Sequence, residues 1–205
     1  MRTVPSRLVV ELADVGVVTV DEFVSPSHCQ RILREAAHGA WVPSGVAAVP
    51  LDRGRSTFYA NGRTSSSLVV FGYSKWMEET LRRIERSLFT MFGIRSRNLE
   101  PWQVTRYKRG EAFDYHLDCG AWRAHPSGER SRTILVYLEQ PVRGGATDFR
   151  ALRRRIMPAA GRLVVWNNLL PSGNCNHAMI HAGLPVVQGR KTILTTWERQ
   201  RRYVG

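Results

Sequence analysis

The sequence has few cysteines, few lysines and no long apolar run. Cys29, Cys119 and Cys175 are the only cysteines among 205 residues. They are odd in number, widely spaced and without a CxxC pair, which argues against a disulfide framework and a structural zinc site, so we expect free thiols. No segment approaches the roughly 18 consecutive apolar residues of a membrane span, and the N-terminus lacks the cleavage pattern of a signal peptide. We therefore expect a cytoplasmic protein without a membrane anchor.

Positive charge is the strongest compositional bias. The sequence has 30 lysines and arginines and 17 acidic residues, which gives a net charge of +13. Only Lys75, Lys108 and Lys191 are lysines, and the other basic residues are arginines. Such a charge suggests an anionic partner such as nucleic acid. The arginine runs at residues 153–155 and near the C-terminus have no interleaved aromatics, however, and are more typical of solvated faces. A nucleic-acid partner stays an alternative that the sequence does not favour.

Residues 1–205 are predicted to form a single domain, because no repeat or linker divides the chain. Ser25 followed by Pro26 marks the start of one helix, which ends before Gly39. A second helix is predicted from Ser74 to Gly93, with apolar residues at helical spacing. Residues 40–73 are rich in Ser, Gly and Pro, as expected of a loop region beside a cleft.

From residue 99 onward the pattern changes to short β-type stretches separated by turn residues. Many short strands with no helix between them favour a sandwich or jelly roll. We therefore predict an α+β protein in which residues 1–98 form a helical support and lid region and residues 99–200 form the β core. The stretches are "WQVTRYK", "RTILVYLEQ", "GATDFRAL", "GRLVVWNNL" and "KTILTTWER".

The stretch "FDYHLDCG" places His116 and Asp118 two positions apart. In a strand such residues project to the same side, so an imidazole nitrogen and a carboxylate oxygen can meet at one point. One further histidine would complete the facial two-histidine, one-carboxylate site that suits Fe(II). His177 and His181 are the candidates for that third ligand.

Several stretches, in order, resemble the 2-oxoglutarate- and Fe(II)-dependent oxygenases, and among them the prolyl 4-hydroxylase-like branch. The resemblance extends over roughly residues 17–199. It implies a double-stranded β-helix, or jelly-roll, core with N-terminal packing helices. The stretches that carry it are "RYKRGEAFDYHLD", "RTILVYLEQPVRGGATDF", "MPAAGRLVVWNN" and "HAGLPVVQGRKTILTTW".

The resemblance also implies a set of site residues. The family's basic cosubstrate anchor lies ten positions after the distal histidine, which selects His181 with Lys191 over His177. Arg190 is the rival anchor. Because neighbouring residues on a strand face opposite ways, only one of Lys191 and Arg190 can point inward. His116, Asp118 and His181 would then bind the metal. Lys191 would pair with the far carboxylate of 2-oxoglutarate, assisted by Tyr107, Thr133 and Tyr137.

The activity that the resemblance implies uses Fe(II), 2-oxoglutarate and O2 to hydroxylate an unactivated C–H bond. The expected substrate is an amino acid, a peptide or a small natural-product intermediate, and Arg55, Tyr59 and Arg63 are candidate substrate contacts in a lid. Two alternatives stay open: a nucleic-acid-directed oxygenase of the same fold, and a catalytically silent binding protein. The sequence leaves open the oligomeric state and the choice between hydroxylation, desaturation and cyclisation.

Overall fold

The computed structural model describes residues 16–45, 62–70 and 73–205. In these ranges the chain forms mostly antiparallel sheets together with two α-helices, α1 at Pro26–Ala37 and α2 at Lys75–Phe92. The strands, numbered in chain order, are β1 Val17–Val20, β2 Val42–Pro43, β3 Ser66–Val69, β4 Gln103–Tyr107, β5 Phe113–His116, β6 Arg130–Glu139, β7 Arg143–Gly144, β8 Thr147–Phe149, β9 Arg154–Ile156, β10 Leu163–Asn167, β11 His181–Gly183, β12 Val186–Gln188 and β13 Lys191–Arg199.

Side-chain caps define the starts of both helices. The Ser25 hydroxyl accepts a hydrogen bond from the backbone N–H of His28 at 3.3 Å, and the Ser74 hydroxyl accepts one from Met77 at 3.2 Å. These bonds satisfy N–H groups that have no partner within the first helical turn. Gly93 ends α2 in the left-handed conformation at φ +66°, which glycine adopts without steric penalty.

Two antiparallel sheets lie face to face. The larger has seven strands in the order β1-β10-β6-β13-β4-β3-β2, and the smaller has four in the order β5-β11-β8-β9. A further pair joins β12 and β7. This arrangement is consistent with a jelly roll. Because β1, β2 and β3 extend the larger sheet, the described part of residues 1–98 supplies strands as well as helices.

The two faces of the larger sheet have different neighbours. On β6, Ile134, Val136 and Leu138 join the apolar cluster that includes the buried sides of both helices. Leu135 and Tyr137 join a second cluster, which lies toward the smaller sheet. This alternation follows from the period of two along a strand. The space between the sheets is therefore lined by one face of β6 and its neighbours, and it holds the candidate site.

The expectation of free thiols is wrong for two of the three cysteines. Cys119 and Cys175 form a disulfide across 56 residues of sequence, with Cα atoms 5.9 Å apart. Cys29 is the free cysteine and is buried in α1. Sequence spacing does not report such pairings, because the fold brings together a residue after β5 and a residue in the loop before β11.

No helix within the described ranges is both long enough and apolar enough to cross a membrane.

Removing the disulfide should lower stability. Closing a loop of this length restricts the unfolded chain and contributes about 2–4 kcal/mol in typical cases. We expect the double variant Cys119→Ser/Cys175→Ser to melt several degrees lower than wild type in a thermal scan, with a reductant lowering the wild-type Tm toward that of the variant and leaving the variant unchanged. Thiol titration of the denatured, unreduced protein should find only Cys29; titration of all three cysteines would show that the bond is absent.

Candidate active site

Strand pairing brings two histidines together from distant parts of the chain. β11 pairs with β5 so that His181 lies opposite His116. Asp118 follows shortly after the end of β5, and its carboxylate oxygens lie 3.8 Å from Nε2 of His116 and 3.7 Å from Nε2 of His181. The three ligand atoms lie within 4.8 Å of one another, a spacing at which they could hold one metal ion. This is the group that the sequence predicts.

Backbone carbonyls orient both imidazoles. Nδ1 of His116 lies 2.8 Å from the carbonyl oxygen of Asp114, and Nδ1 of His181 lies 2.9 Å from that of Met179. A carbonyl only accepts, so each Nδ1 carries the proton and each Nε2 presents a lone pair toward Asp118. Hydrogen bonds of this kind on the remote nitrogen fix the tautomer of metal-binding histidines.

Burial sets the charge state of the ligands. Burial, with His181 nearby, lowers the pKa of His116 to about 3, so the imidazole is neutral as metal binding requires. Burial alone would raise the pKa of Asp118, but His181, His116 and Arg130 and the hydrogen bond from Thr133 hold it below its usual value. The site therefore offers a neutral imidazole at His116 and an ionised carboxylate at Asp118, beside Nε2 of His181.

The side chains of Lys191 and Arg190 point in opposite directions, as strand alternation predicts. Lys191 is 2% exposed, and its Nζ donates to the carbonyl oxygen of Gly145 at 3.0 Å and lies 4.4 Å from the centre of the Tyr107 ring. Arg190 points outward, where its guanidinium pairs with Glu139. Burial lowers the pKa of Lys191 to about 7. A buried amine of this kind at the cavity wall suits a carboxylate ligand.

Of the other predicted cosubstrate contacts, Tyr107 and Thr133 line the cavity, whereas Tyr137 is not among its lining residues. Tyr107 lines the cavity beside Lys191, and burial raises the pKa of its hydroxyl. The Tyr137 hydroxyl is 2.6 Å from that of Thr147, which does line the cavity. Thr133 also lines it, with its hydroxyl 2.6 Å from Asp118. The contacts of all these side chains with 2-oxoglutarate remain predictions.

Arg63 is the one candidate lid residue that falls within the described ranges, since Arg55 and Tyr59 lie outside them. Its guanidinium donates to the Ser65 hydroxyl at 3.0 Å and to the Gly45 carbonyl at 3.1 Å. It also lies 4.6 Å from the centre of the Phe113 ring, which stacks on His116 at 3.7 Å. Arg63 thus lies in the cavity wall near a metal ligand, and its contact with substrate remains a prediction.

His177 lies in a short 3-10 helix, His177–Met179, just before β11, and is exposed. It does not belong to the group of three ligand residues.

Sequence reasoning missed several cavity-lining residues. Thr147 lies in the stretch "GATDFRAL" and pairs with Gly183 of β11, and both residues line the cavity. Trp166 and Trp197 flank Thr133 in the larger sheet, and all three side chains line the cavity. The indole N–H groups of both tryptophans and the hydroxyl of Thr195 are buried without a hydrogen-bond partner among the described residues. Buried polar atoms of this kind are the expected mark of a cavity that a polar ligand completes.

Comparison with known proteins agrees with this geometry. Residues 102–199, which contain all three ligands and Lys191, match the model of the 2OG-Fe(II) oxygenase superfamily. The chain is a prolyl 4-hydroxylase-like 2OG-Fe(II) oxygenase.

Two similar proteins carry the name prolyl 4-hydroxylase. It is 28% identical over 196 residues to prolyl 4-hydroxylase subunit alpha-1 of Gallus gallus, an alignment that covers 93% of this chain and 34% of the relative. It is 28% identical over 164 residues to a putative prolyl 4-hydroxylase of Acanthamoeba polyphaga mimivirus, covering 71% and 68%. The oxygenase thus spans only about a third of the chicken protein.

A solved structure shares the fold. The viral collagen prolyl hydroxylase of Paramecium Bursaria Chlorella virus-1, in its 2OG complex, superimposes with a TM-score of 0.69 at 26% identity, covering 89% of this chain and 95% of that one. Fe(II), 2-oxoglutarate and O2 are the cofactor and cosubstrates of this oxygenase. The residues present fit them, because two imidazole nitrogens and a carboxylate suit Fe(II) and buried Lys191 suits the far carboxylate of 2-oxoglutarate.

The pKa of Lys191 predicts a pH dependence of cosubstrate binding. Lys191 must be protonated to pair with a carboxylate, and in the free protein its pKa is about 7. As pH rises above about 7, binding must take up a proton, so we expect the affinity of the Mn(II)-loaded protein for 2-oxoglutarate to fall by up to about tenfold per pH unit. Calorimetry between about pH 6 and 9 measures this.

The Lys191→Arg variant provides the control, because a guanidinium stays charged throughout this range. Its affinity for 2-oxoglutarate should be nearly independent of pH, whereas Lys191→Met should bind weakly at every pH. A wild-type affinity that does not change with pH would show that the amine is charged before the cosubstrate arrives.

Proposed function

We propose that this oxygenase hydroxylates prolyl residues in peptides. In the balanced reaction, 2-oxoglutarate, O2 and the substrate C–H group give succinate, CO2 and the C–OH product. The observation that carries the proposal is the combination of His116, Asp118 and His181 with the buried Lys191 in the wall of one cavity. Similarity to prolyl 4-hydroxylases supports proline as the target.

The protein's own residues bind, orient and shield. Bound Fe(II) supplies the activation of dioxygen that side chains alone do not provide. Lys191 would hold the far carboxylate of 2-oxoglutarate, and Leu135 and Ile193, which also line the cavity, would offer apolar contacts to its methylene groups. The buried walls exclude bulk water, which strengthens the ion pair with Lys191. These contacts fix the cosubstrate so that the target carbon can be placed beside the metal.

The cavity wall on the β3–β4 side suits a peptide backbone. Arg63 and Thr105 line the cavity there, and the Thr105 hydroxyl bonds to that of Ser67 at 2.8 Å. Hydroxyls both donate and accept, and a guanidinium donates, so this wall can pair with the amide and carbonyl groups of an extended chain. A free amino acid would use fewer of these groups.

The arginine run at residues 153–155 gives no comparable support for a nucleic-acid substrate. These side chains are exposed, and Arg155 pairs with Asp148 at 2.6 Å. They form a solvated edge on the smaller sheet.

The test measures oxygen transfer to proline directly. The purified protein, with Fe(II), 2-oxoglutarate and air, is incubated with a Pro-Pro-Gly repeat peptide, with the same repeat carrying alanine for each proline, and with free proline. We expect succinate and a gain of one oxygen atom per modified proline, by mass spectrometry, for the Pro-Pro-Gly peptide only. His181→Ala should abolish both signals, and His177→Ala, a matched change outside the ligand group, should retain them.

Other outcomes reject parts of the proposal. Modification of free proline but not of the peptide would overturn the peptide assignment and leave the oxygenase intact. Succinate without any modified proline would overturn proline as the target. Absence of both succinate and Fe(II) binding would revive the catalytically silent alternative.

A further inference from the structure

Asp118 has a specific hydrogen-bond donor on the larger sheet. The Thr133 hydroxyl lies 2.6 Å from Oδ2 of Asp118, and Thr133 is 1% exposed. Oδ2 is also the oxygen that lies nearer to His181, while Oδ1 lies nearer to His116. The two oxygens of this carboxylate are therefore not equivalent before any metal binds.

A second side chain fixes the direction of that hydrogen bond. Nδ2 of Asn168 lies 2.8 Å from the Thr133 hydroxyl oxygen. An ionised carboxylate only accepts, so the single hydroxyl proton of Thr133 must point to Asp118, and the lone pair of Thr133 accepts from the Asn168 amide. The result is a directed chain from Asn168 through Thr133 to Asp118.

Both ends of this chain are held in place. Asn168 is 1% exposed, its backbone N–H donates to Ser131 at 2.9 Å, and its carbonyl accepts from Asn176 at 2.8 Å. The disulfide joins Cys119, the residue after Asp118, to Cys175, the residue before Asn176. The loop that holds Asn168 is thus tied to the segment that carries the metal ligand.

Strand register places Thr133 at the metal end of the cavity. Thr133 lies opposite Trp197 on β13, and Lys191 lies opposite Tyr107. Six residues separate Trp197 from Lys191 along β13, which places their backbones about 20 Å apart at ~3.3 Å per residue. The contact of Thr133 with 2-oxoglutarate stays a prediction, whereas its hydrogen bond to Asp118 is present in the structure.

We propose that Thr133 and Asn168 are positioning residues that hold Asp118 so that it offers iron one oxygen, Oδ1, while Oδ2 is engaged by the Thr133 hydroxyl. A carboxylate that bound through both oxygens would occupy a position that the cosubstrates need. Hydrogen-bonded partners behind a ligand raise metal affinity and fix ligand orientation. This inference rests on the metal site and is independent of the peptide substrate.

The test measures metal binding in the absence of 2-oxoglutarate. Mn(II) affinity is determined by electron paramagnetic resonance of the free ion for wild type, Thr133→Val, Thr133→Ser, Asn168→Leu and the double variant Thr133→Val/Asn168→Leu. Thr133→Val keeps the side-chain shape and should weaken Mn(II) binding about 10- to 100-fold. Thr133→Ser keeps the hydroxyl and should restore affinity to near the wild-type value.

The double variant tests whether Asn168 acts through Thr133 or only through general packing. Because Asn168 acts through Thr133, Asn168→Leu should weaken Mn(II) binding in the wild type and add little in the Thr133→Val background. A merely structural Asn168 would weaken binding equally in both backgrounds. Thr192→Val is the matched control: it removes a buried hydroxyl from β13 that donates to Glu139, and it should leave Mn(II) affinity unchanged. If Asn168→Leu does not fold, Thr133→Val and Thr133→Ser decide the question alone.

Unchanged Mn(II) affinity in Thr133→Val would overturn the proposal. If that variant, loaded with Mn(II), also bound 2-oxoglutarate more weakly, Thr133 would act on the cosubstrate carboxylate instead. Failure of the peptide assay alone leaves these outcomes unaffected.

Discussion

The antiparallel pairing of β5 with β11 is the constraint on which the site depends. It places His181 opposite His116, although 65 residues separate them in the chain. A register shift of one residue would turn one of these imidazoles to the outer face of the sheet. Asp118 then needs only to lie shortly beyond the end of β5 to complete the group. The larger sheet supplies the opposite wall, and β13, between β6 and β4, carries Lys191 into the same cavity.

The cavity is electrostatically unfavourable until its ligands arrive. Lys191 is buried with no carboxylate beside it among the described residues, and burial lowers its pKa to about 7. His116 is held neutral, and the indole N–H groups of Trp166 and Trp197 have no partner in the described part of the chain. Metal and cosubstrate would supply the missing charges and acceptors. Binding free energy thus offsets a cost that folding has already incurred, and this favours ligands of one charge pattern.

The chemistry of the site was more predictable from sequence than its supporting structure. Strand alternation is a local rule, so the HxD pair follows from neighbouring residues, as does the expectation that only one of Lys191 and Arg190 points inward. The selection of His181 over His177 needed the family spacing, because the two histidines are only four positions apart in the sequence. Helix starts are also local, since Ser25 and Ser74 cap the turns that they precede.

Contacts across the fold were not predictable in this way. The Cys119–Cys175 bond joins segments whose proximity depends on the whole jelly roll, and cysteine spacing carries no record of it. Thr133 was assigned from family resemblance to the cosubstrate, but its contact with Asp118 depends on how the end of β5 crosses β6. The strands β1 to β3 likewise join the larger sheet through long-range pairing that local pattern does not specify.

The central claim is that one metal ion and one 2-oxoglutarate molecule share this cavity. A crystal structure of the protein grown without oxygen in the presence of Mn(II) and 2-oxoglutarate tests it most directly. We expect Mn(II) to be bound by Nε2 of His116, Nε2 of His181 and one oxygen of Asp118, with the far carboxylate of 2-oxoglutarate on Nζ of Lys191. Metal bound through His177, or a far carboxylate paired with Arg190 at the surface, would contradict it.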